Sequence, residues 1–444
     1  MSNLLIKNGL IATLGSKNTI LEKHSIIIEK DIIKSILPDD KIDKSITFSK
    51  TIDAKNKLVM PGMINTHMHL YSTFARGIAL KCSPPRNFAE ILENLWWHLD
   101  KTLSIEDVYY SSLIPLIGCI KSGTTTIIDH HASPNCVTGS LNTIANAYNE
   151  LGLRGILAYE ISDRDGKDIA NKGILENISF IEQTSNNDMI KGLIGLHAMF
   201  TINDSTLEVV AKEAQRLNVG VHIHVAEDRY DKDYNIANYQ LSPVQRLHKF
   251  GLTRNNSIFV HCVHIDQNDM KLIKDNNTII VHNPQSNMNN AIGCCKLFDI
   301  LDNSILTGLG TDGMTFNMFE ELGVANIIHK HVHQNSNVGW CEIENIVTKN
   351  NSIIASRLFN KQIGILEENA LADIIILDYD PPTPICGGNF WGHMLFGINK
   401  SKVLTTIVNG KVLMEDGQLT LPNIVESEIN HKSRELAKKF WERF

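Results

Sequence analysis

Eight short apolar runs in this chain each end in histidine, aspartate or glutamate, and this pattern limits the fold more than any other feature. Leu58-Val59-Met60-Pro61-Gly62-Met63-Ile64-Asn65 leads into His67-Met68-His69, and later runs end at His130-His131, Glu160, His197, His222-x-His224, His261, His282 and Asp312. Parallel strands buried on both faces read as continuous apolar runs. In a (β/α)8 barrel the functional residues sit at the C-terminal ends of several strands. The expected fold is therefore α/β, a (β/α)8 TIM-type barrel enzyme with a metal at its mouth.

Expected strands are Gly62–His67, Thr124–His130, Arg154–Glu160, Lys191–His197, Val219–His224, Ser257–His261, Thr278–His282 and Ser304–Asp312, with helices between them. Ser104 is the expected N-cap of one helix, with Glu106 and Asp107 in its first turn and Gly123 just past its end. The first sixty residues and a late stretch around Ala372–Asp378 and Val403–Val408 are β-rich, with turn signals at Asn8-Gly9 and Asn409-Gly410. Both termini are expected to join in a small β-sandwich. This divides the chain into residues 1–60 plus 361–424 as the sandwich, 61–360 as the barrel and 425–444 as a C-terminal helix. Ile429, Leu436 and Phe440 fall at helical spacing in that tail.

Composition narrows the partners. The 444 residues carry a formal charge of −7 and no basic block, which argues against nucleic acid or an anionic membrane surface. The start, Met1-Ser2-Asn3-Leu4-Leu5-Ile6-Lys7, lacks the charged and apolar regions of a signal peptide, and no apolar run is long enough for a membrane helix. Eight cysteines without a C-x-x-C pair suggest reduced thiols, hence a cytoplasmic location. Cys294-Cys295 reads as packing thiols. The expected partner is a small molecule, with a homodimer left open.

His67 and His69, two apart on a strand, point to one side and can share a cation. Two hydrogen-bonded core histidines would give the same spacing. His222 and His224 also share a face, and Glu227 lies just beyond, as a base next to a metal-activated water would. A solvated loop carboxylate near Arg229 is the plain alternative. Asp312, between Gly310 and Gly313, can bind metal and accept a proton; an ordinary turn Asp is the alternative. His261 can polarise a substrate atom, with His264 supporting it. His329, His331 and His333 follow a helical pattern, where i and i+2 do not face each other, so an exposed helix end is expected there.

These residues resemble the amidohydrolase superfamily, in the branch holding guanine deaminase, adenosine-type deaminases and the s-triazine hydrolases. The likeness rests on Pro61–His69, His224-Val225-Ala226-Glu227, His261-Cys262, His282-Asn283-Pro284-x-Ser286-Asn287 and Gly310-Thr311-Asp312. It is nearest to the SsnA-type aminohydrolases, through Asn94-Leu95-Trp96-Trp97, Ile128–Pro134, Ser286–Asn290 and Met318–Glu321. The resemblance implies that His67, His69, His224 and Asp312 are metal ligands. Glu227 would be the proton shuttle, His261 the electrophilic helper and His197 a substrate contact. Many superfamily members bridge two metals with a carboxylated lysine ending the fourth strand. Here that strand ends in Leu196-His197 and its lysine, Lys191, begins it, so one divalent metal per chain is expected: zinc, with ferrous iron as the alternative.

The implied reaction is deamination of a purine- or pterin-like heterocycle, with His131, His197 and Trp97, beside Trp96, around the ring. The rivals are hydrolytic dechlorination or dethiolation, cyclic amide hydrolysis, and a catalytically silent binding subunit. The last is disfavoured because every ligand position and Glu227 are filled.

Overall fold

The computed structural model describes residues 3–15, 17–43, 45–81 and 83–444. Met1 and Ser2, on which part of the N-terminal reading rests, and Cys82, one of the eight thiols, lie outside them. The barrel strands are β1 (Met63–Met68), β2 (Thr124–His131), β3 (Arg154–Tyr159), β4 (Ile190–Gly192 and Ile194–Ala198), β5 (Val221–Val225), β6 (Ile258–His261), β7 (Ile279–His282) and β8 (Thr307–Leu309). All neighbours pair in parallel. One arc runs from β1 to the first piece of β4, and the other from the second piece of β4 to β8. Nearly every strand residue is buried, as continuous apolar runs require.

The two arcs close on each other at two seams, and a glycine sits at each. At the β3–β4 seam, Ile161 N–H donates to Gly195 O (3.1 Å) and His197 N–H to Ile161 O (2.9 Å). A Cβ on Gly195 would lie 2.3 Å from the Tyr159 carbonyl oxygen. At the β8–β1 seam, the amides of Thr311 and Asp312 both donate to His67 O (2.9 and 3.0 Å). A Cβ on Gly310 would lie 2.7 Å from the His67 nitrogen. Backbones this close exclude any side chain. The last strand is shorter than expected because the chain leaves regular pairing at Gly310 to make that seam.

Strands from both termini form one nine-stranded sheet beside the barrel. At its centre Leu58–Pro61 pairs in parallel with Asn3–Ala12 and antiparallel with Ile374–Leu377. Leu58–Pro61 continues through Gly62 into β1, so this sheet feeds directly into the strand carrying His67 and His69. A buried ion pair ties the two units. Arg154, at the start of β3, donates to both carboxylate oxygens of Asp373 (3.1 and 3.3 Å) and to the Asn409 side chain (3.1 Å). Both charged groups are essentially inaccessible to water.

Helix Ile105–Ser122 begins with a reciprocal Ser104–Asp107 capping box and ends at left-handed Gly123, as the sequence suggested. The C-terminal helix Glu426–Arg443 buries Leu436 and Phe440. Phe440 packs on Phe74 with ring centres 5.6 Å apart, and Trp441 Nε1 donates to Phe74 O (2.9 Å). It thereby braces the Leu70–Ala75 segment that follows His69. No single helix among the described residues is long and apolar enough to cross a membrane.

One expectation is corrected. Helix Met318–His333 leaves His331 and His333 exposed, but His329 is buried. It falls on the same helical face as Leu322, Ala325 and Asn326, all buried, and its Nε2 meets His282 Nε2 at 3.1 Å.

Removing one partner of a buried ion pair leaves the other charge unpaired, at a cost of about 3–5 kcal/mol. Asp373→Ala should lower unfolding stability by that order, read from the urea midpoint. A loss of less than about 1 kcal/mol would show that the junction does not depend on the pair.

Candidate metal centre and active site

Each imidazole at the barrel mouth is oriented through one nitrogen, leaving the other directed inward. His69 Nδ1 donates to the His130 carbonyl (2.6 Å) and His224 Nδ1 to the His197 carbonyl (3.0 Å). A carbonyl only accepts, so when both rings are neutral their Nε2 atoms present lone pairs, and these face each other at 3.2 Å. Two lone pairs at that distance repel unless positive charge lies between them. His67 Nδ1 contacts His222 Nε2 (2.9 Å), while His67 Nε2 is buried without a hydrogen-bond partner. Asp312 Oδ1 lies 3.2 Å from His69 Nε2 and 3.7 Å from His67 Nε2. Backbone or side-chain anchors on the far nitrogen are what metal-binding histidines ordinarily have. His67, His69, His224 and Asp312 therefore suit a divalent cation, and His67, His69 and Asp312 on one side and His67, His224 and His261 on another are close enough to share one.

The electrostatics agree. Burial opposes charge on Asp312, but hydrogen bonds from His67 and His69 more than offset it and hold the carboxyl well below its usual range. Burial pulls His69 down, yet Asp312 outweighs it and leaves the ring at about 9. Burial lowers His67 to about 3 and takes His224 well below the usual imidazole range. The centre thus combines one firmly ionised carboxylate with neutral rings at His67 and His224, and Asp312 draws positive charge to the His69 position.

Glu227 and His261 stand beside this set. His261 Nε2 lies 3.5 Å from Glu227 Oε2 and 3.6 Å from Asp312 Oδ2. Its Nδ1 meets Asn287 Oδ1 at 2.8 Å. Burial, reinforced by the charge of Asp312, pushes Glu227 well above the ordinary glutamate value. It is an enclosed group, unlike the solvated loop carboxylate that was the alternative. Ala226, His261, Cys262 and Asp312 all have left-handed backbone, with φ of 45, 68, 51 and 53°. Such strain in non-glycine residues concentrates at functional sites.

A cavity opens above these groups. His197 lines it, its Nδ1 held by Thr201 Oγ1 (2.8 Å), and so do Trp96 and Trp97. His131 does not. It is buried behind Tyr71, its Nε2 on Ser133 Oγ (2.9 Å) and its ring edge-on to the tyrosine at 5.6 Å. His264 is engaged by the Ile292 carbonyl (2.9 Å).

Sequence reasoning missed three contributors. Asp231 is buried and accepts from the amides of Ala226 (2.8 Å) and Phe200 (3.0 Å), pinning the turns that carry Glu227 and His197. Asp100 and Arg164 line the cavity, joined to each other and to Glu160. Glu160 was noticed only as the end of an apolar run. The others lie in helices or loops with no periodic signal; Asp231 alone had a hint, four residues past a strand-end carboxylate.

A family model described as the amidohydrolase family matches residues 58–413. The chain is 32% identical over 443 residues to the 5-methylthioadenosine/S-adenosylhomocysteine deaminase of Thermoanaerobacter pseudethanolicus, covering 97% of this chain and 98% of that one. It is 32% identical over 424 residues to the 5′-deoxyadenosine deaminase of Methanocaldococcus jannaschii, covering 94% and 96%. Among solved structures, an adenosine deaminase from Xanthomonas campestris with bound zinc superposes with a TM-score of 0.86 at 21% identity, covering 99% and 98%.

Elemental analysis of purified protein should find about one divalent metal per chain, and His67→Ala or His224→Ala should lose most of it, since each supplies one of few ligands. Two tightly held equivalents, or full occupancy in both variants, would overturn this ligand set.

Proposed function

The chain belongs to the amidohydrolase family, and from that premise we propose that it removes the exocyclic amine of an adenine nucleoside or a closely similar aminopurine, using one resident metal, zinc or alternatively ferrous iron. The observation that carries this reading is the placement of two carboxylates, Glu227 and Asp312, at 3.5 and 3.6 Å from one imidazole nitrogen of His261, beside the His67–His69–His224 donor set. The metal, held by His67, His69, His224 and Asp312, would supply a water acidic enough to react near neutral pH. The two relatives named for adenosine-derived substrates favour the adenine ring over the pterin.

The chain's own groups divide the proton work. Glu227 Oε2 takes a proton from the attacking water and delivers it to a ring nitrogen. Burial, reinforced by Asp312, raises its pKa, which makes the carboxylate a stronger base toward the water proton. Asp312, kept ionised, orients the water through Oδ2. His261 polarises the reacting group only with a proton on Nε2. That requires a second ring proton, or rotation of the Asn287 amide so that its buried, unpartnered Nδ2 donates to Nδ1. Trp96, Trp97, Phe88 and Leu92 give the cavity flat apolar faces for a ring, and His197 an edge contact.

Metal-loaded protein should release ammonia from members of a panel of adenine nucleosides, free aminopurines and aminopterins. Cleavage of cyclic amides or halogenated rings without ammonia from any panel member would replace the deaminase reading. On a confirmed substrate, Glu227→Gln should keep its metal and lose about 10²–10⁴ in rate, because Gln cannot accept the water proton. A rate within a few fold of the parent would remove Glu227 from the shuttle role.

A further inference from the structure

Arg164 is the one Lys or Arg side chain lining the cavity among the described residues, and none of its nitrogens is free. Nε donates to Asp165 Oδ2 (3.1 Å), one terminal nitrogen to Glu160 Oε1 (3.4 Å) and the other to Asp100 Oδ2. The face of the guanidinium lies 5.3 Å from the Trp97 ring centre. Each nitrogen and the Trp97 side of the group are thus engaged, and three carboxylates surround its charge.

The balance of charge around the guanidinium is negative. Asp100 and Glu160 both line the cavity and are buried, and Asp100 Oδ1 has no hydrogen-bond partner. Asp165 divides itself between Arg164 and Lys101 (2.7 Å). Glu227 and Asp312 add two more carboxylates on the metal side. The remaining lining is apolar or neutral, chiefly Phe88, Leu92, Trp96, Trp97 and Met314.

We propose that this clamped wall of Asp100, Glu160 and Arg164 makes the cavity reject substrates whose side arm carries a carboxylate or phosphate, and accept arms that are neutral or donate hydrogen bonds. The inference rests on the aminopurine reading above. It does not depend on how the ring docks, because away from the metal an anionic arm meets carboxylates, apolar surface or neutral groups such as Ser72, Ser286 and Asn290, and no lysine or arginine other than the engaged Arg164. An arm bearing O–H or N–H can instead satisfy Asp100 Oδ1, which is otherwise costly to bury. The T. pseudethanolicus relative is named for two nucleosides that differ in this respect. Methylthioadenosine has a small neutral thioether arm. S-adenosylhomocysteine has an amino-acid arm with a carboxylate and an ammonium, and the ammonium could itself donate to Asp100 Oδ1. This chain should prefer the first.

The test is ammonia release by metal-loaded enzyme from two nucleosides, methylthioadenosine and the desamino form of S-adenosylhomocysteine, whose arm keeps the carboxylate and has no ammonium. The expected kcat/KM is about 100-fold or more in favour of methylthioadenosine, the order for a unit charge placed near another in a partly desolvated site. Comparable values for the two would overturn the proposal and leave the deaminase reading standing. Glu160→Gln keeps the side-chain shape and removes one negative charge from the wall, so the preference should shrink by about tenfold. A preference unmoved in a folded, metal-loaded variant would assign the exclusion to shape alone and overturn the role of the wall. Asp100→Asn provides the same test should Glu160→Gln not fold. If neither nucleoside releases ammonia, the substrate reading fails separately, and the wall is read by calorimetry. Flat aromatic amides and their isosteric carboxylates would be titrated into wild type and Glu160→Gln, both metal-loaded. Any direct contact with metal is common to the two proteins. A carboxylate-to-amide affinity ratio that rises about tenfold in the variant supports the wall, and an unchanged ratio overturns it.

Discussion

The active centre depends on the seam where the last barrel strand meets the first. Thr311 and Asp312 both hydrogen-bond through their amides to the His67 carbonyl, and His69 N–H returns a bond to the Asp312 carbonyl (3.3 Å). Below them Asn65 Nδ2 donates to Thr311 Oγ1 (2.7 Å), and Thr66 Oγ1 donates to the Leu309 carbonyl (2.9 Å). Residues from opposite ends of the barrel sequence are thereby locked into one register. Since Asp312 and the His67–His69 pair must meet within a few tenths of an ångström to share a cation, the backbone and not the cation sets their spacing. Gly310 makes the close approach possible, and the left-handed turn at Asp312 aims its carboxylate into the barrel mouth.

This arrangement explains how so many histidines can be buried together. Desolvation keeps His67, His130, His131, His222, His224 and His282 below the ordinary imidazole range. Neutral rings can pack against one another, whereas a group of imidazolium ions could not. His69 is the exception because Asp312 faces it. The strand carbonyls of His130 and His197 have a second task, fixing the tautomers of His69 and His224, so the barrel's own backbone helps to decide which nitrogen looks inward.

What could be read in the sequence follows the same logic. Strand-end residues are visible because a buried parallel strand is a continuous apolar run, and its first polar residue stands out. That signal located the eight strands and drew His67, His69, His224, His261, Glu227 and Asp312 to one mouth. It failed where side chains arrive from helices and loops. Asp231 reaches the Glu227 turn from helix Arg229–Tyr239, and Asn287 reaches His261 from helix Pro284–Asn289; neither has a distinctive spacing. His131 ends a strand but turns away, since alternate strand residues point to opposite sides and its neighbour His130 takes the barrel side. The i, i+2 spacing of His329, His331 and His333 speaks against a shared metal but does not say which of them is buried, and the helical face of Leu322 and Ala325 takes His329 inward.

The polar wall bears on how many cations the barrel mouth could hold. Ligating atoms of Glu160, His197 and His224 lie within 4.8 Å of one another, a spacing that by itself would suit a second cation. Arg164, 3.4 Å from Glu160, puts a fixed positive charge there instead. A divalent ion placed on Glu160 would sit within a few ångströms of that guanidinium, at an unfavourable energy of several kcal/mol even at an effective dielectric of about 20. It would also have to break the Arg164–Glu160 contact. Arg164 is itself held by Asp100 and Asp165 and packed against Trp97, so it is not easily moved aside. The guanidinium therefore offsets part of the charge of the acids on the β3 side, and a resident metal would offset Asp312 on the β8 side. Glu227 is not bound to Arg164, and its partners are Asn290 and the His261 edge. A carboxylate left in that position, strongly desolvated and unpaired with any fixed cation, is the one in this cavity free to change protonation during a reaction.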